Sequence, residues 1–310
     1  MTTKVKDEDS INRQKSGLKM ILLMAALLCG LSYGCATQRV NHFKSFAEAG
    51  TAYADAVSTL TQQSGGIAID ADSLILMKVR KDLPSGERGM TIIEHNNLLK
   101  ERLRILGMVR RHAQLLRSYF VSLAALANSD ASSGIGTSAE GTVNALGGLS
   151  REIKEAKVGS EPVAKFAKGV ATIVVAQFQN AALENELKLH SKVIEREIDL
   201  QQAAFEAIAA QIHTDLEIVL NRQESVEVVD PFKDPKRELP ADWVKHRRAI
   251  LIANVSSGAI DAAADAARNL KSSFVALVEN RFTSVDYQAL IKDVGEIITL
   301  IEKVQGEGKK

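Results

Sequence analysis

Between Pro162 and Val228 the chain has no further proline and a single glycine, Gly169. Within that run Leu183, Leu187, His190, Ile194, Ile198, Phe205, Ile208, Ile212, Leu216 and Val219 recur in steps of three and four, with one double step. Such spacing lines one face of an α-helix. Pro162 fits the first turn, where its missing N–H costs little. The run predicts a helix of ~50–65 residues, spanning roughly 75–100 Å at 1.5 Å per residue. That exceeds the breadth of a compact domain and predicts a rod.

Other segments agree. His42 to Gln63 puts Phe43, Phe46, Gly50, Tyr53, Val57 and Leu60 on one apolar face, and Ser64-Gly65-Gly66 reads as its end. A second helix is expected from about Asp70 to Leu83, stopped by Pro84-Ser85-Gly86. Thr91 with Glu94 matches a capping box and predicts a helix from Thr91 to about Ala127. Its seam runs Ile92, Asn96, Leu99, Leu103, Leu106, Arg110, Ala113, Leu116, Phe120, Leu123 and Ala127, close to the coiled-coil period of 3.5. Residues 128–136 read as a loop. Thr137 with Glu140 and Thr283 with Asp286 give two more boxes, opening helices to about Ala156 and Val304. Asp230 to Trp243 holds three of the five prolines and predicts a loop, followed by a helix from about Ala241 to Asn280. No strand alternation persists. The fold class expected is all-α, an elongated antiparallel bundle of long helices, partly coiled-coil.

Charge fits side-by-side helices. Residues 91–127 carry Lys100, Arg102, Arg104, Arg110, Arg111 and Arg117 against Glu94 and Glu101, net +4. Residues 178–228 carry ten acids and four bases, net −6. The whole chain, with 39 basic and 38 acidic residues, has no bulk charge that would direct it to nucleic acid.

The N-terminus carries the address. Lys4, Lys6, Arg13, Lys15 and Lys19 precede an uncharged apolar run from Met20 to Leu31, short for the roughly 20 residues of a membrane span. Small residues follow, ending in Gly34-Cys35. A positive segment, a short apolar core and small residues make a secretory signal. "LSYGC" resembles the lipobox of bacterial lipoprotein precursors. The resemblance implies cleavage before Cys35, lipid on its sulfur, and a mature chain tethered to the membrane. Ala36 in place of Asp implies the outer rather than the inner membrane. An uncleaved anchor and cleavage with release are the two other readings. The cysteines, Cys29 and Cys35, both lie in this segment, so residues 36–310 offer no disulfide and no thiolate metal ligand. The domain plan is residues 1–34 as signal peptide, 35–41 as tether, 42–304 as helical bundle and 305–310 as a frayed tail.

Site chemistry is sparse. The six histidines make no His-x-x-x-His or HExxH pair, so no metal is expected. His190 falls on an apolar stripe and reads as core. Glu94 and Asn96, beside His95, are accounted for by the capping box and the seam. Ser133 to Gly136 has no strand before it and no GKS/T after it. Gly169 to Phe178 is apolar but only ten residues, read as a buried helix or, in a pore-former, as an inserting segment. Ala253 to Ala267 is rich in small residues, which lets helices approach closely. Trp243 is the only tryptophan and stands beside Lys245, His246, Arg247 and Arg248. Aromatic and arginine side chains are enriched at binding hot spots, so Trp243 and Arg247 are the candidate partner-binding residues.

The expectation is a non-enzymatic envelope lipoprotein without catalytic residues or cofactor. It would be held to the membrane through lipid on Cys35 and act as a helical scaffold on an envelope partner, with no nucleic acid. The alternatives are a membrane-active helical pore-former or remodeller and an enzyme assembled from distant residues. In cells labelled with a fatty-acid analogue, the wild type should carry label and Cys35→Ser should not. Equal label in both would reject lipidation at this residue.

Overall fold

The computed structural model describes the backbone of residues 6–128, 133–158, 161–166, 173–178, 180–233, 236, 238–255 and 258–305. Side chains of residues 6–37 lie outside the described part, so the expectation at Cys35 falls there, as does the tail after Gln305. The elements are α1 (Lys6–Val79), α2 (Arg88–Asn128), α3 (Ser133–Glu155), a two-residue antiparallel ladder of β1 (Lys157–Val158) with β2 (Glu161–Pro162), a 3₁₀ turn (Val163–Phe166), α4 (Ala181–Gln223), a π-helical turn (Glu224–Val229), α5 (Asp230–Lys233), α6 (Trp243–Val255), α7 (Ala259–Val278) and α8 (Ser284–Gln305).

The protein is an all-α, elongated antiparallel bundle. The 41 residues of α2 and 43 of α4 are each about 60 Å or more long. The residues that meet fix the directions. Gly50 and Gly65 of α1 lie against Phe120 and Leu103 of α2, so these helices are antiparallel. From α4, Asn180 at the start reaches Leu126, Glu197 reaches His112 and Asp215 reaches Arg102, which sets α4 antiparallel to α2 and parallel to α1. Asp199 with Lys271 and His213 with Asp261 set α7 antiparallel to α4. The bundle therefore has two ends. At one lie the body's first turns of α1, the end of α2, the start of α4 and the α7–α8 turn. The other holds the α1–α2 turn, the π turn, α5 and the start of α6.

α4 is the central helix. From Glu197 to Ala209 every side chain except Glu206 is buried, so neighbours surround it on all sides. The apolar faces expected for residues 43–60 and 183–216 are in the core, with His190 half-buried. An aromatic cluster closes the first end. Phe46 meets Phe120 edge-on at 4.9 Å and Phe282 at 6.0 Å, and Phe274 packs against both Phe46 and Phe120. Edge-to-face pairs of this kind favour one geometry over loose apolar contact.

Several boundaries differ from expectation, each for a local reason. Ser64-Gly65-Gly66 does not end a helix, because α1 continues to Val79. Ser64 and Gly65 are buried, and a Cβ on Gly65 would stand 3.1 Å from Leu103, so this glycine serves close packing. Thr91 is not a cap. Its N–H and hydroxyl both bond the Glu87 carbonyl inside a helix that starts at Arg88. Thr137 likewise lies inside α3, which starts at Ser133. Thr283 is a true capping box: its hydroxyl accepts from the Asp286 N–H at 3.3 Å, and Asp286 accepts from the Thr283 N–H at 2.7 Å.

The helix expected from Pro162 starts instead at Ala181. Pro162 belongs to the two-residue ladder, and residues 173–178 are neither helix nor strand, not the buried helix expected there. This stretch is pinned by backbone and side-chain bonds. Ala176 N–H donates to Val278 O at 3.1 Å, and Arg39 Nη1 donates to Gln177 O at 3.1 Å. Asn180 then caps α4, its Oδ1 accepting from the Ala182 and Leu183 N–H groups. Downstream, α4 runs on through the π turn and α5, so the chain stays helical from Ala181 to Lys233. The helix expected over 241–280 is divided into α6 and α7 around Gly258.

Two glycines give opposite expectations. A Cβ on Gly50 would drive into the Phe120 ring, whereas one on Gly66 meets nothing within 4 Å. Gly50→Ala should destabilise by about 1–3 kcal/mol through overpacking. Gly66→Ala should stabilise by about 0.5–1 kcal/mol through helix propensity. Urea unfolding of both variants checks the pair of signs.

Candidate functional site

Two regions concentrate polar or exposed groups that a plain bundle does not need. The first is a girdle around the middle of α4. His112 of α2 is fully buried with an oxygen facing each ring nitrogen: Gln201 Oε1 lies 2.7 Å from Nδ1 and Glu197 Oε2 lies 2.9 Å from Nε2. Ser150 of α3 sits between the Leu146 carbonyl, 2.7 Å away, and the same Glu197 oxygen. Gln201 Nε2 donates to Val109 O at 3.4 Å. On the opposite side Asp199 accepts from Lys271 of α7 at 2.6 Å. Burial by itself would raise the Glu197 carboxyl. The hydrogen bonds and charge of His112, the Ser150 hydroxyl and the Lys154 charge outweigh it and hold the group below the ordinary glutamate range.

This constellation contains serine, histidine and carboxylate, but the serine faces the carboxylate and not the imidazole. Nucleophile activation needs the hydroxyl on the base. What the geometry does is clamp α2, α3 and α4 at one level. Among the described residues no group of three or more His, Cys, Asp or Glu is placed to hold a metal ion.

The second region is the end of the bundle remote from residue 38. Between Ala71 and Ile105 no side chain is fully buried, so the last turns of α1 and the first of α2 form a thin hairpin beyond the core. Polar pairs brace its neck. Asp72 bonds His95 Nδ1 at 2.7 Å, and Asp215 of α4 pairs with Arg102. Burial pushes the Asp215 carboxyl up and Asp72 adds to this, against the opposing pull of Arg102. Beside the hairpin, Trp243 opens α6. Its indole Nε1–H donates to Val228 O at 3.0 Å on the π turn, and its ring stacks on Phe232 at 5.7 Å. Phe232 is 66% exposed. His246 lies between Asp242, at 3.0 Å, and Glu227, at 3.6 Å.

Of the residues singled out in the sequence, Trp243 is half-buried at this end and Arg247 is exposed one helical turn further on. Glu94 and Asn96 are exposed, so Asn96 fixes no register, and His95 serves the hairpin neck. Arg110, placed on the α2 seam, is also exposed. The girdle was not anticipated. A signal for it exists: Glu197 and Gln201 are four apart on α4, hence on one face, and His112 falls between two seam positions of the most basic helix.

No family model matches the chain, and comparisons with curated proteins and with solved structures return no match. Among the described residues no helix is long and apolar enough to cross a membrane.

The girdle makes a pH prediction. Because the Glu197 carboxyl is held low in the folded state, its stabilisation is complete above the ordinary glutamate range and is lost as pH falls through the depressed value. Glu197→Ala removes the partner of a buried histidine and a buried serine and should cost about 3–5 kcal/mol at neutral pH. The gap to wild type should narrow in acid. Urea midpoints across an acid titration measure it, and a pH-independent gap would contradict the assignment.

Proposed function

We propose that this protein is a lipid-tethered, non-enzymatic scaffold of a bacterial envelope. In this reading Cys35 carries the lipid, and Ala36 after it directs the chain to the outer membrane. The bundle holds a contact surface at its far end for another envelope component. The observation that carries the reading is the polarity of the body. The segment bearing Cys35 is continuous with α1 and enters at one end. Among the described residues, most of the exposed large apolar side chains, including Met77, Met90, Ile93, Phe232 and Val244, are at the other. The two ends are about 60 Å apart along α1. Separation of anchor from contact surface is what a spacer requires, and the buried Glu197 and Asp199 between them join α4 to α2, α3 and α7.

Within the contact end, the Trp243 corner is the part that fits a protein partner. The Phe232–Trp243 stack offers a flat aromatic face, Arg247 adds a guanidinium free to turn outward, and the π turn below holds the tryptophan in place. Rigid aromatic and arginine groups lose little freedom on docking.

In-cell crosslinking from the tethered protein tests the reading. Trp243→Ala combined with Arg247→Ala should reduce the yield of captured envelope protein several-fold, while helicity and Tm stay near wild type. Undiminished capture would reject this corner as the docking site. A large fall in Tm would make Trp243 a packing residue only.

A further inference from the structure

The hairpin tip carries a surface that the Trp243 corner does not explain. From Met77 to Ile93 the chain has Lys78, Arg80, Lys81 and Arg88 against Asp82 and Glu87, net +2. In the same turns Met77 is 64% exposed, Met90 75% and Ile93 60%. Between the two helix ends is a groove of about 220 Å³ lined by Leu76, Met77, Leu83 and Ile92. Arg80 and Arg88 stand in its lining, and neither makes an ion pair among the described residues. Arg88 Nε donates to the Leu83 carbonyl at 3.1 Å, which holds that guanidinium beside the groove.

From this juxtaposition we infer that the α1–α2 tip docks on the surface of an anionic lipid bilayer, the arginines and lysines meeting headgroups while the methionines and isoleucines enter the acyl boundary. Apolar side chains ringed by cations are the composition of an interfacial segment, bound by buried apolar area and by attraction to anionic lipid. A second copy fits less well. It would set one positive tip against another, and the end of two helices, each about 10–12 Å across, falls short of the ~800 Å² per partner of a stable interface. The inference rests on the tethered-spacer reading for which bilayer is met. With the anchor about 60 Å away along α1, the tip of an upright bundle reaches a bilayer other than the one holding Cys35.

Vesicle tethering tests this with the full-length chain. Donor vesicles of zwitterionic lipid carry the protein through its N-terminal segment, and flotation of the donors reads the anchor separately. Acceptor vesicles are bare zwitterionic, bare with a third phosphatidylglycerol, or zwitterionic bearing the protein. Bare anionic acceptors should be captured, with yield falling as salt rises. Capture should drop about tenfold or more for Arg80→Glu with Arg88→Glu, and comparably for Met90→Ser with Ile93→Ser. Leu189→Ser, exposed near the opposite end, should capture like wild type. Capture confined to protein-bearing acceptors would assign the tip to a second copy and overturn the inference. So would equal capture of zwitterionic acceptors, or indifference to both tip variants. If the protein fails to float with donors, the anchor reading fails instead. The tip is then tested by cosedimentation of the same chain with anionic vesicles, where identical binding by wild type and both tip variants would reject it.

Discussion

The burial of α4 governs the rest of the structure. A helix surrounded on all sides is ordinarily apolar all round, yet this one carries Glu197, Asp199, Gln201 and Gln202 through the middle of the bundle. An ionised carboxylate cannot stay there alone. Each must meet a donor from a different neighbour: His112 from α2 and Ser150 from α3 for Glu197, Lys271 from α7 for Asp199. Apolar packing alone would let long helices slide by a turn at small cost. Paired buried charges forbid it, because a shift of one turn leaves several groups unpartnered at once. The girdle therefore selects the register, and the aromatic cluster of Phe46, Phe120, Phe274 and Phe282 consolidates one end of it.

Helical class was legible because propensity, period and charge agreed over long stretches. The apolar stripe of α4 and the face of α1 from Phe43 to Leu60 are buried as their spacing indicates. Basic α2 lies beside acidic α4, joined by Arg102–Asp215 and His112–Glu197. Helix ends were less legible, since the same residues serve inside and outside helices. Thr283 and Asp286 form a reciprocal cap, whereas Thr91 and Thr137, with the same local pattern, sit inside helices. Gly65 shows why a glycine pair is an ambiguous stop: the missing side chain admits Leu103, a partner 38 positions away that no local window contains.

The candidate sites divide the same way. Trp243 stood out by rarity, and its position beside the π turn is local enough to be approached from sequence. The hairpin tip was hidden by its own pattern. Ile92 and Leu99 continue the α2 period, so they read as core, yet Ile92 is exposed and Leu99 only half-buried. Amphipathic spacing says that a face exists and not what covers it. Likewise His112, between seam positions, becomes a central residue only because α4 brings Gln201 and Glu197 to its two ring nitrogens.

The fixed register also decides where length can change. In antiparallel neighbours the meeting residues rise on one helix as they fall on the other, as Gly50–Phe120 and Gly65–Leu103 do on α1 and α2. Inserting one residue below such a pair rotates everything beyond it by about 100° and misaligns the girdle. Seven residues added to each arm beyond the Asp72–His95 pair keep the phase to within about 20° and leave that pair, Arg102–Asp215 and the girdle in place. The hairpin tip is thus a part of the main body whose reach can be lengthened or trimmed by whole heptads while the core stays as it is, a telescoping segment mounted on a fixed frame.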